Sequence, residues 1–557
     1  MRLRGLTEAT LVVFTALVLT IALTYPVAFR LDRIGRVNTD DGRWSIWVVA
    51  WVAHALTTDP RDVFDANIFY PHRYALAFSE ANLGAGVLAA PVWALTKNPY
   101  TSHNVVFLLS FVLAFSGAYY LTRFLTGSQP AALVAAVLFA FCPYIFARTA
   151  HVQLLFTGGL PWCMLAFHRL VEAPSIQRSI VLGVSLWATA LACAYYGIFA
   201  GLMIGLGTWL FAISRRLWRS VDYWVAIGLA AFVSIALTVP FFLPYIYVQQ
   251  EMGFARTLDD ARQYAANLGA WGASSAWSHR WWLPMLGDYK EVLFPGLMAA
   301  GLSTAAVAML LTPVGTRAGP PSALTNRLSR DVAVLYLIIA LLAFWSSFGP
   351  DAGLYRVFYE TLPIFTFLRA PARMGVMTTF ALTVLASATV AALLHRTKRR
   401  WAVGCAIAGL AVAELAAMPL NQFRDSEQLS PVYQRLASLP RGAVAEFPYW
   451  YQRPDFPRHA YYMLNSTAHW QPLVNGYSDH IPADFRQSVL PLSSFPSRES
   501  FSILAKAGAR YVVFHTHMYD ARSRVRLTER IAAYSAYLRP IAQVGSVWLY
   551  EIVGWPN

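Results

Sequence analysis

The sequence predicts an α-helical polytopic membrane protein with about eleven transmembrane helices and a C-terminal external α/β domain. Two observations predict the membrane part. Of the 557 residues, 57% are hydrophobic and only 13% are charged, whereas about 25% of a soluble globular chain is charged. Apolar segments of about 20 residues, the length that crosses a bilayer, also recur along the chain. A third observation, a change of composition after residue 418, predicts the external domain.

The predicted spans follow from the length of each apolar segment. The segment 179–213 is too long for one span, because a helix of about 35 residues would reach ~50 Å. We interpret it as a hairpin of two spans that turns near Tyr195, Tyr196 and Gly197, which brings the total to eleven. The other nine segments lie at 10–28, 104–122, 130–147, 153–170, 223–246, 292–312, 332–348, 374–394 and 401–418.

The basic residues predict the orientation of these spans. If the N-terminus is inside, the inside segments hold 15 Lys and Arg in 60 residues, and the membrane part's outside segments hold 15 in 154. Cytoplasmic loops carry such an excess. The apolar segment 83–97 is then an interfacial or re-entrant segment on the outer face, since counting it as a span would move later basic clusters outside. No small-residue cleavage site follows the first span, which is therefore expected to be retained.

Residues 419–557 differ in character from the membrane part, 1–418. They hold 14 Lys and Arg and 10 Asp and Glu, and they contain no segment long enough to span. Runs of β-forming residues occur at Ala443–Phe447, Tyr511–His515 and Val547–Val553, and a helical stretch is predicted at Leu527–Leu538. Because an odd number of spans places the C-terminus on the side opposite the N-terminus, this α/β domain is expected outside.

The distribution of charges argues against nucleic-acid binding and against ion-coupled transport. The net charge is +15, but the basic residues form no long run, so nucleic acid is not a predicted partner. Only one acidic residue, Glu414, falls within a predicted span. Ion-coupled transporters usually need ionisable groups near the middle of the bilayer. The polar residues are instead concentrated on the outer side.

The first outer loop, 29–102, is the richest segment, and it is too long for a mere connection. Asn38-Thr39-Asp40-Asp41-Gly42 follows the first span. An amphipathic stretch, Trp44–Leu56, carries Trp44, Trp47 and Trp51, which is typical of a helix that lies in the membrane interface. Phe69-Tyr70-Pro71-His72-Arg73 and Ser79-Glu80-Ala81-Asn82 come next.

These features resemble the GT-C superfamily of polytopic glycosyltransferases, which use polyprenyl-phosphate-linked sugars and include protein O-mannosyltransferases and the lipid A aminoarabinose transferase. The long first outer loop, its acidic pair, the in-plane helices and the external α/β domain carry the resemblance, which covers nearly the whole chain. More detailed motifs resemble a bacterial, glycosyltransferase-like branch: Phe69-Tyr70-Pro71, Asn98-Pro99, Arg369-Ala370-Pro371-Ala372-Arg373 and Gly508-Ala509-Arg510-Tyr511-Val512-Val513.

The resemblance implies a general base in the first loop, which corresponds to Asp40 or Asp41. A carboxylate there can take the proton of an acceptor hydroxyl. The alternative is that both are solvated, or that they cap a helix before Trp44. A phosphate also needs a cation, and Arg binds phosphate bidentately. We predict Arg369 and Arg373 as phosphate ligands that face the cavity of the acidic pair; the alternative is that they anchor the chain at the interface.

Second candidates complete the predicted site. Arg73 and Arg148 are further candidate phosphate ligands. His72, Glu80, His151 and Gln153 are candidates for contacts with the sugar. A divalent cation is the one cofactor considered, with Asp40, Asp41, His72 and Glu80 as candidate ligands; the alternative is hydrogen-bonded polar residues at helix ends. We interpret Tyr195 and Tyr196 as an interfacial pair. We interpret the histidines of residues 419–557 as surface or packing residues: His459, His469, His480, His515 and His517.

The predicted function is the transfer of a sugar from a polyprenyl-phosphate donor to an envelope glycan, lipid or protein, at the outer face of the inner (plasma) membrane. The resemblance implies direct displacement, with inversion at the anomeric carbon. The partners are the lipid-linked donor and membrane lipid. Two alternatives stay open: a lipid or glycan transporter, and a non-catalytic envelope-assembly protein that kept the topology.

Overall fold

The structure is a computed structural model and describes residues 2–253, 256–311 and 328–556, with side chains from residue 6 onward. The helices are α1 Arg2–Leu23, α2 Asp40–Thr58, α3 Leu83–Thr96, α4 Pro99–Thr126, α5 Gln129–Ala140, α6 Pro143–Phe146, α7 Gly159–Glu172, α8 Ile176–Ala192, α9 Ala194–Ser214, α10 Val221–Met252, α11 Leu258–Gln263, α12 Leu268–Gly272, α13 Leu297–Leu311, α14 Arg330–Ser347, α15 Leu354–Thr361, α16 Gly375–His395, α17 Arg400–Leu415, α18 Pro431–Ala437, α19 Ala460–Asn465, α20 Ala483–Ser493, α21 Arg498–Lys506 and α22 Ala521–Ala533. The strands are β1 Ile34–Gly35, β2 Arg424–Asp425, β3 Ala443–Phe447, β4 Ala509–His515, β5 Leu538–Val544 and β6 Val547–Ile552.

Within the described residues, eight helical segments are long and apolar enough to cross a membrane. They lie at Leu6–Leu23, Pro99–Thr126, Gln129–Phe146, Val152–Glu172, Ala194–Ser214, Val221–Met252, Arg330–Ser347 and Pro371–His395. The chain is therefore a helical, multi-pass membrane protein. The other three predicted spans correspond to shorter helices, α8, α13 and α17, so the total of eleven stays a prediction. The predicted inside segment 313–331 falls mostly on residues 312–327, outside the described residues.

The predicted break within 179–213 is confirmed. Helix α8 ends at Ala192 and α9 begins at Ala194, with Cys193 between them in an extended conformation. A Cβ on Gly197 would lie 2.6 Å from the Cβ of Ala190. The chain therefore folds back on itself at this point, two residues before the predicted turn.

The contacts divide the chain into two compact units. Unit 1 comprises Met1–Phe29, Val106–Phe242 and Ala255–Asn421; unit 2 comprises Arg30–Val105, Leu243–Phe254 and Gln422–Asn557. Most of the first loop thus belongs to the same unit as the C-terminal residues. Composition could not predict this grouping, because it records the solvent that a segment prefers and not the segment that it packs against. The division into a membrane part, 1–418, and an external domain, 419–557, stays a prediction.

Unit 1 is a bundle of helices in which α16 packs against α5, α13 and α14, and α7 packs against α8 and α9. Glu414, the one acidic residue in a predicted span, lies in α17 and caps the N-terminus of α13. Its carboxylate accepts hydrogen bonds from the N–H groups of Leu297 and Met298, the latter at 3.1 Å, and contacts Nε2 of His279 at 3.1 Å. A carboxylate at this position satisfies helix N–H groups and interacts favourably with the helix dipole.

We expect Glu414→Ala to lower the free energy of unfolding by about 2 kcal/mol or more, since it strands helix N–H groups that the carboxylate satisfies. Thermal unfolding of the purified protein in detergent measures the effect. Glu360→Ala, which removes an exposed carboxylate of α15, is the control. If both variants unfold at the wild-type temperature, the capping role of Glu414 is wrong.

Unit 2 contains a four-stranded sheet with the order β3-β4-β6-β5. Strand β3 is parallel to β4, and β6 is antiparallel to both β4 and β5. The three predicted strands are confirmed to within two residues. The predicted helix at Leu527–Leu538 is wrong in its bounds: α22 begins at Ala521, where Asp520 accepts N–H bonds from Arg522 and Ser523, and Leu538 begins β5, which the sequence reading missed.

The first-loop helix α2 packs against α3 and α19 in the core of unit 2. Trp44, Trp47 and Trp51 are at most 8% exposed. The indole N–H of Trp47 donates to Asn67 Oδ1 at 3.3 Å, and that of Trp51 donates to the carbonyl of Val63 at 2.9 Å. The three tryptophans are therefore core residues of unit 2, and the in-plane placement of α2 stays a prediction.

The predicted interfacial segment 83–97 forms α3, whose 14 residues are too few to span a bilayer. One face of α3 is packed against α2, and there Gly86 is required, because a Cβ would lie 2.1 Å from Val52. The other face is apolar and exposed, with Val87 at 55% and Leu95 at 87%. Such a face suits contact with lipid.

Candidate functional site

The acidic pair of unit 2 lies in the first turn of α2. Thr39 is the N-cap residue, since its side chain accepts a hydrogen bond from the N–H of Gly42 at 3.2 Å. The alternative that Asp40 or Asp41 is the cap is therefore wrong. Gly42 allows the preceding turn to approach closely, because a Cβ there would lie 2.1 Å from the carbonyl oxygen of Arg36.

Each carboxylate of the pair has a different partner. Oδ1 of Asp40 binds Nη1 of Arg43 at 2.9 Å, and the Arg43 guanidinium stacks on the ring of Tyr461 at 5.7 Å. Oδ1 of Asp41 accepts a hydrogen bond from the hydroxyl of Tyr477 at 3.3 Å. The Asp40 side chain remains 28% exposed. Both carboxylates are thus held in place while Asp40 stays accessible to a substrate.

The other first-loop candidates in unit 2 lie in separate surroundings. Nε2 of His72 lies 3.0 Å from a carboxylate oxygen of Asp484. Arg73 contacts Asp65 at 3.4 Å and its side chain is 73% exposed. Glu80 precedes Ala81, whose N–H donates to the hydroxyl of Tyr245 at 2.8 Å. Across the described ranges, no group of three or more His, Cys, Asp or Glu could hold a metal ion. The predicted cation ligands are therefore not gathered into one group.

In unit 1, Tyr195 connects the two predicted phosphate ligands. Its hydroxyl accepts the backbone N–H of Arg369 at 2.8 Å, and its ring lies 4.4 Å beneath the guanidinium of Arg373. The Arg369 guanidinium lies over the ring of Tyr264 at 4.9 Å. Both arginines are half-buried. A stacked guanidinium is held by its face, while its N–H donors point outward in its plane, the direction from which an oxyanion binds.

Arg369 also affects the carboxyl group of Asp260 in α11. Partial burial opposes ionisation of Asp260, but hydrogen bonds from Thr257, together with the charges of Arg256 and Arg369, lower its pKa. The ionised Asp260 therefore lies within electrostatic range of Arg369.

Tyr196, the residue after Tyr195, contacts Tyr144, and Arg148 stacks on Tyr144. The hydroxyl of Tyr196 donates to the carbonyl of Leu154 at 2.6 Å and lies 3.4 Å from the hydroxyl of Tyr144. The Arg148 guanidinium stacks on Tyr144 at 3.8 Å and binds Glu291 at 2.6 Å. Because Arg148 is only 6% exposed and already has a carboxylate partner, it is a weaker candidate for a phosphate than Arg369 or Arg373.

The interpretation of Tyr195 and Tyr196 as an interfacial pair is wrong. Tyr195 is 8% exposed and Tyr196 is 0% exposed, whereas belt residues face the headgroups. Their position just after the break at Cys193 turns both rings into unit 1. The sequence signal for a role of these residues in the site was the pair of adjacent tyrosines at a helix break. No comparable signal in the sequence marked Tyr264, Tyr461 or Tyr477.

His151 and Gln153 lie between Arg148 and Leu154 in the sequence. His151 is half-buried. Gln153 is 5% exposed, and its side-chain oxygen has no hydrogen-bond partner among the described residues. A buried amide oxygen without a partner is available to a hydroxyl or amine of a ligand. This observation fits the predicted contact of Gln153 with a sugar.

No family model matches the sequence, and no curated protein matches it. Solved structures do resemble it. Arabinofuranosyltransferase AftD from Mycobacteria has a TM-score of 0.56 at 14% identity, over 98% of this chain and 41% of its own. The oligosaccharyltransferase AglB from Archaeoglobus fulgidus, in complex with an inhibitory peptide and a dolichol-phosphate, has a TM-score of 0.50 at 14% identity, over 96% of this chain and 73% of its own.

A second structure of the Archaeoglobus fulgidus oligosaccharyltransferase, tethered with an acceptor peptide, has a TM-score of 0.50 at 12% identity, over 98% of this chain and 74% of its own. The chain has the GT-C fold. The resemblance drawn from the first loop and the spans is thereby confirmed at the level of the fold. Within the GT-C fold of this chain, the predicted acidic residues belong to unit 2 and the leading predicted phosphate ligands belong to unit 1.

Proposed function

We propose that the protein transfers a sugar from a polyprenyl-phosphate-linked donor to an envelope glycan, lipid or protein at the outer face of the inner membrane. The observation that carries this proposal is the GT-C fold over at least 96% of the chain. It is supported by two groups of residues whose chemistry suits the two ends of the reaction. These are the carboxylates at the start of α2 and the stacked arginines around Tyr195.

The carboxylate acts on the acceptor. Asp40 or Asp41 takes the proton of the acceptor hydroxyl as its oxygen attacks the anomeric carbon of the donor sugar. The bond from that carbon to the phosphate oxygen breaks, and its electron pair leaves with the polyprenyl phosphate. A single displacement of this kind inverts the configuration at the anomeric carbon.

The arginines act on the donor. Negative charge develops on the leaving phosphate as the bond breaks, and fixed donors aimed at that charge lower the barrier. Arg369 and Arg373 supply such donors, and the tyrosine rings beneath them restrict their orientation before the substrate arrives. AglB was solved in complex with a dolichol-phosphate, which supports a polyprenyl phosphate as the lipid partner here. His72, Glu80, His151 and Gln153 contact the sugar in this proposal, and Arg73 and Arg148 are the reserve phosphate ligands.

A divalent cation would pair with the donor phosphate, since hard cations take carboxylate and phosphate oxygens. Asp40 and Asp41, adjacent in the first turn of α2, would be its ligands from this chain. We propose also that the N-terminus is cytoplasmic and the C-terminal residues are periplasmic or extracellular. Labelling of a single cysteine at position 399 from outside would overturn that orientation.

The proposed function is tested in a strain that lacks the gene. Mass spectrometry of its envelope glycans, lipids and proteins should reveal a product that is lighter by one sugar, and the wild-type chain should restore the mass. An unchanged set of products in the deletion strain would contradict the proposal.

A further inference from the structure

A cavity of about 390 Å³ lies within unit 2. Its walls come from the segment that precedes α18, from α18 and α19, from the turn after β4 and from the hairpin between β5 and β6. Cavities of ~300–1,000 Å³ are typical of small-molecule sites. The volume is therefore suited to a ligand on the order of one or two sugar residues. Nothing in the roles proposed above uses this cavity.

A buried polar network holds one wall of the cavity. The hydroxyl of Tyr433 donates to Oε2 of Glu446 at 2.6 Å, and Nε2 of His515 lies 2.7 Å from the same oxygen. Asn465 donates from Nδ2 to the Tyr433 hydroxyl at 3.3 Å. Glu446 and His515 are 0% exposed. Oε1 of Glu446 and Nδ1 of His515 have no hydrogen-bond partner among the described residues. The bonds to Oε2 and to the Tyr433 hydroxyl fix the positions of Tyr433 and Asn465 at the cavity wall.

The lining combines polar and apolar groups and holds no basic side chain other than a histidine. Tyr461, Asn465, Glu427, His517 and Ser546 supply polar groups, and Leu429, Pro431, Val544 and Val547 supply apolar ones. Burial lowers the pKa of His517, which is therefore neutral at pH 7. Burial and the neighbouring Glu427 raise the pKa of Tyr461 to about 12, so its hydroxyl stays protonated. No Lys or Arg is among the lining residues.

This lining selects among ligand classes. A phosphate, sulfate or uronic acid would meet the Glu427 carboxylate with no cation to compensate it. A hydrocarbon chain would leave the amide, imidazole and carboxylate groups without partners. A neutral sugar offers several hydroxyls that donate to carboxylate, amide and imidazole acceptors, and it offers an apolar face to an aromatic ring.

The cavity is connected to the acidic pair by two contacts. Tyr461 lines the cavity, and its ring carries the guanidinium of Arg43 at 5.7 Å. Arg43 in turn binds Asp40 at 2.9 Å. All these residues belong to unit 2. A general base must lie near the acceptor hydroxyl that it deprotonates, so a sugar in this cavity is on the acceptor side of the reaction.

We propose that this cavity binds a neutral sugar residue of the acceptor, and hence that the acceptor is a glycan; the proposal rests on the proposed function. The carboxylate of Glu427 accepts hydrogen bonds from sugar hydroxyls, the side-chain amide of Asn465 accepts from them or donates to them, and the ring of Tyr461 packs against the sugar face. The acceptor chain extends from the cavity toward Arg43 and Asp40.

The test measures binding to the full-length protein in nanodiscs, without donor. The probes are an array of neutral oligosaccharides, with phosphorylated and uronic-acid sugars as comparison arms. We expect saturation-transfer NMR signals from neutral oligosaccharides alone. Gln428→Trp, which places a bulky ring at the cavity rim, and Glu427→Gln should each weaken binding at least 10-fold. Glu499→Gln, an exposed carboxylate outside the lining, should bind as the wild type does.

Three results would overturn the proposal: no signal from any neutral oligosaccharide, preference for the charged arms, or wild-type binding by Gln428→Trp that unfolds at the wild-type temperature. The failure of this proposal is distinguishable from failure of the proposed function. If the deletion strain lacks a sugar that the wild type restores, while no neutral oligosaccharide binds, the cavity proposal alone falls. If oligosaccharides bind but the deletion strain has unchanged products, the transferase proposal falls.

Discussion

Replacing both Asp40 and Asp41 by asparagine should abolish sugar transfer while the protein still inserts and folds. Loss of a general base costs ~100-fold or more in rate. Asparagine keeps the shape of each side chain and can still accept the bond from Tyr477. The measurement is the restored product mass in the deletion strain, together with the amount of protein in the membrane. Asp62→Asn, which changes an exposed carboxylate of the same loop, is the matched control.

The single variants separate the two carboxylates. The residue that is the base should lose nearly all activity alone, and the other should lose little. Asp40 also holds Arg43, so Arg43→Met tests whether a defect in Asp40→Asn arises only from the lost ion pair. Equal defects in Asp40→Asn and Arg43→Met would assign Asp40 a positioning role. Near-normal product from the double variant would remove both carboxylates from the chemistry.

Replacing Arg369 or Arg373 by alanine should weaken binding of a polyprenyl-phosphate sugar by about 10- to 100-fold, because each removes charge-assisted hydrogen bonds to the phosphate. Lysine should restore only part of the affinity, since it keeps the charge but loses the planar fork. Binding to purified protein in nanodiscs provides the measurement. Arg356→Ala, at an exposed position of α15, is the control.

Tyr195→Phe refines this second prediction. It removes the hydroxyl that accepts the N–H of Arg369 but keeps the ring beneath Arg373. We expect a smaller loss than from either alanine variant, because both guanidinium groups remain. If both alanine variants bind the donor as the wild type does, Arg369 and Arg373 are interfacial anchors, and Arg73 and Arg148 become the candidates.

The candidate site shows where sequence reasoning succeeded and where it failed. Asp40, Asp41, Arg369 and Arg373 were found because their residue types suit the chemistry and their motifs resemble the GT-C pattern. Their neighbours were not found. Tyr195 is 174 residues from Arg369, and Tyr477 is 436 residues from Asp41. A single sequence has no local signal for a contact at such distances.

Residue type alone did not separate an interfacial aromatic side chain from a core one. Tyr195 and Tyr196 were assigned to the interface and are buried, and the tryptophans of the first loop are core residues of unit 2. An aromatic side chain that carries a polar atom suits the membrane interface, but it also suits a core in which its polar atom has a partner. The hydroxyl of Tyr196 and the indole N–H groups of Trp47 and Trp51 have such partners.

The sequence by itself determined the class of the protein, the positions of the long helices and of three of the strands, and the presence of a break within 179–213. These depend on local properties: the length of apolar segments, the alternation of side chains and the residues at helix ends. Only the tertiary structure decided that most of the first loop joins the C-terminal residues in one unit, that Glu414 caps α13, and that Tyr461 connects a cavity to Asp40 through Arg43. Those features depend on which distant segments pack together, and packing is a property of the whole folded chain.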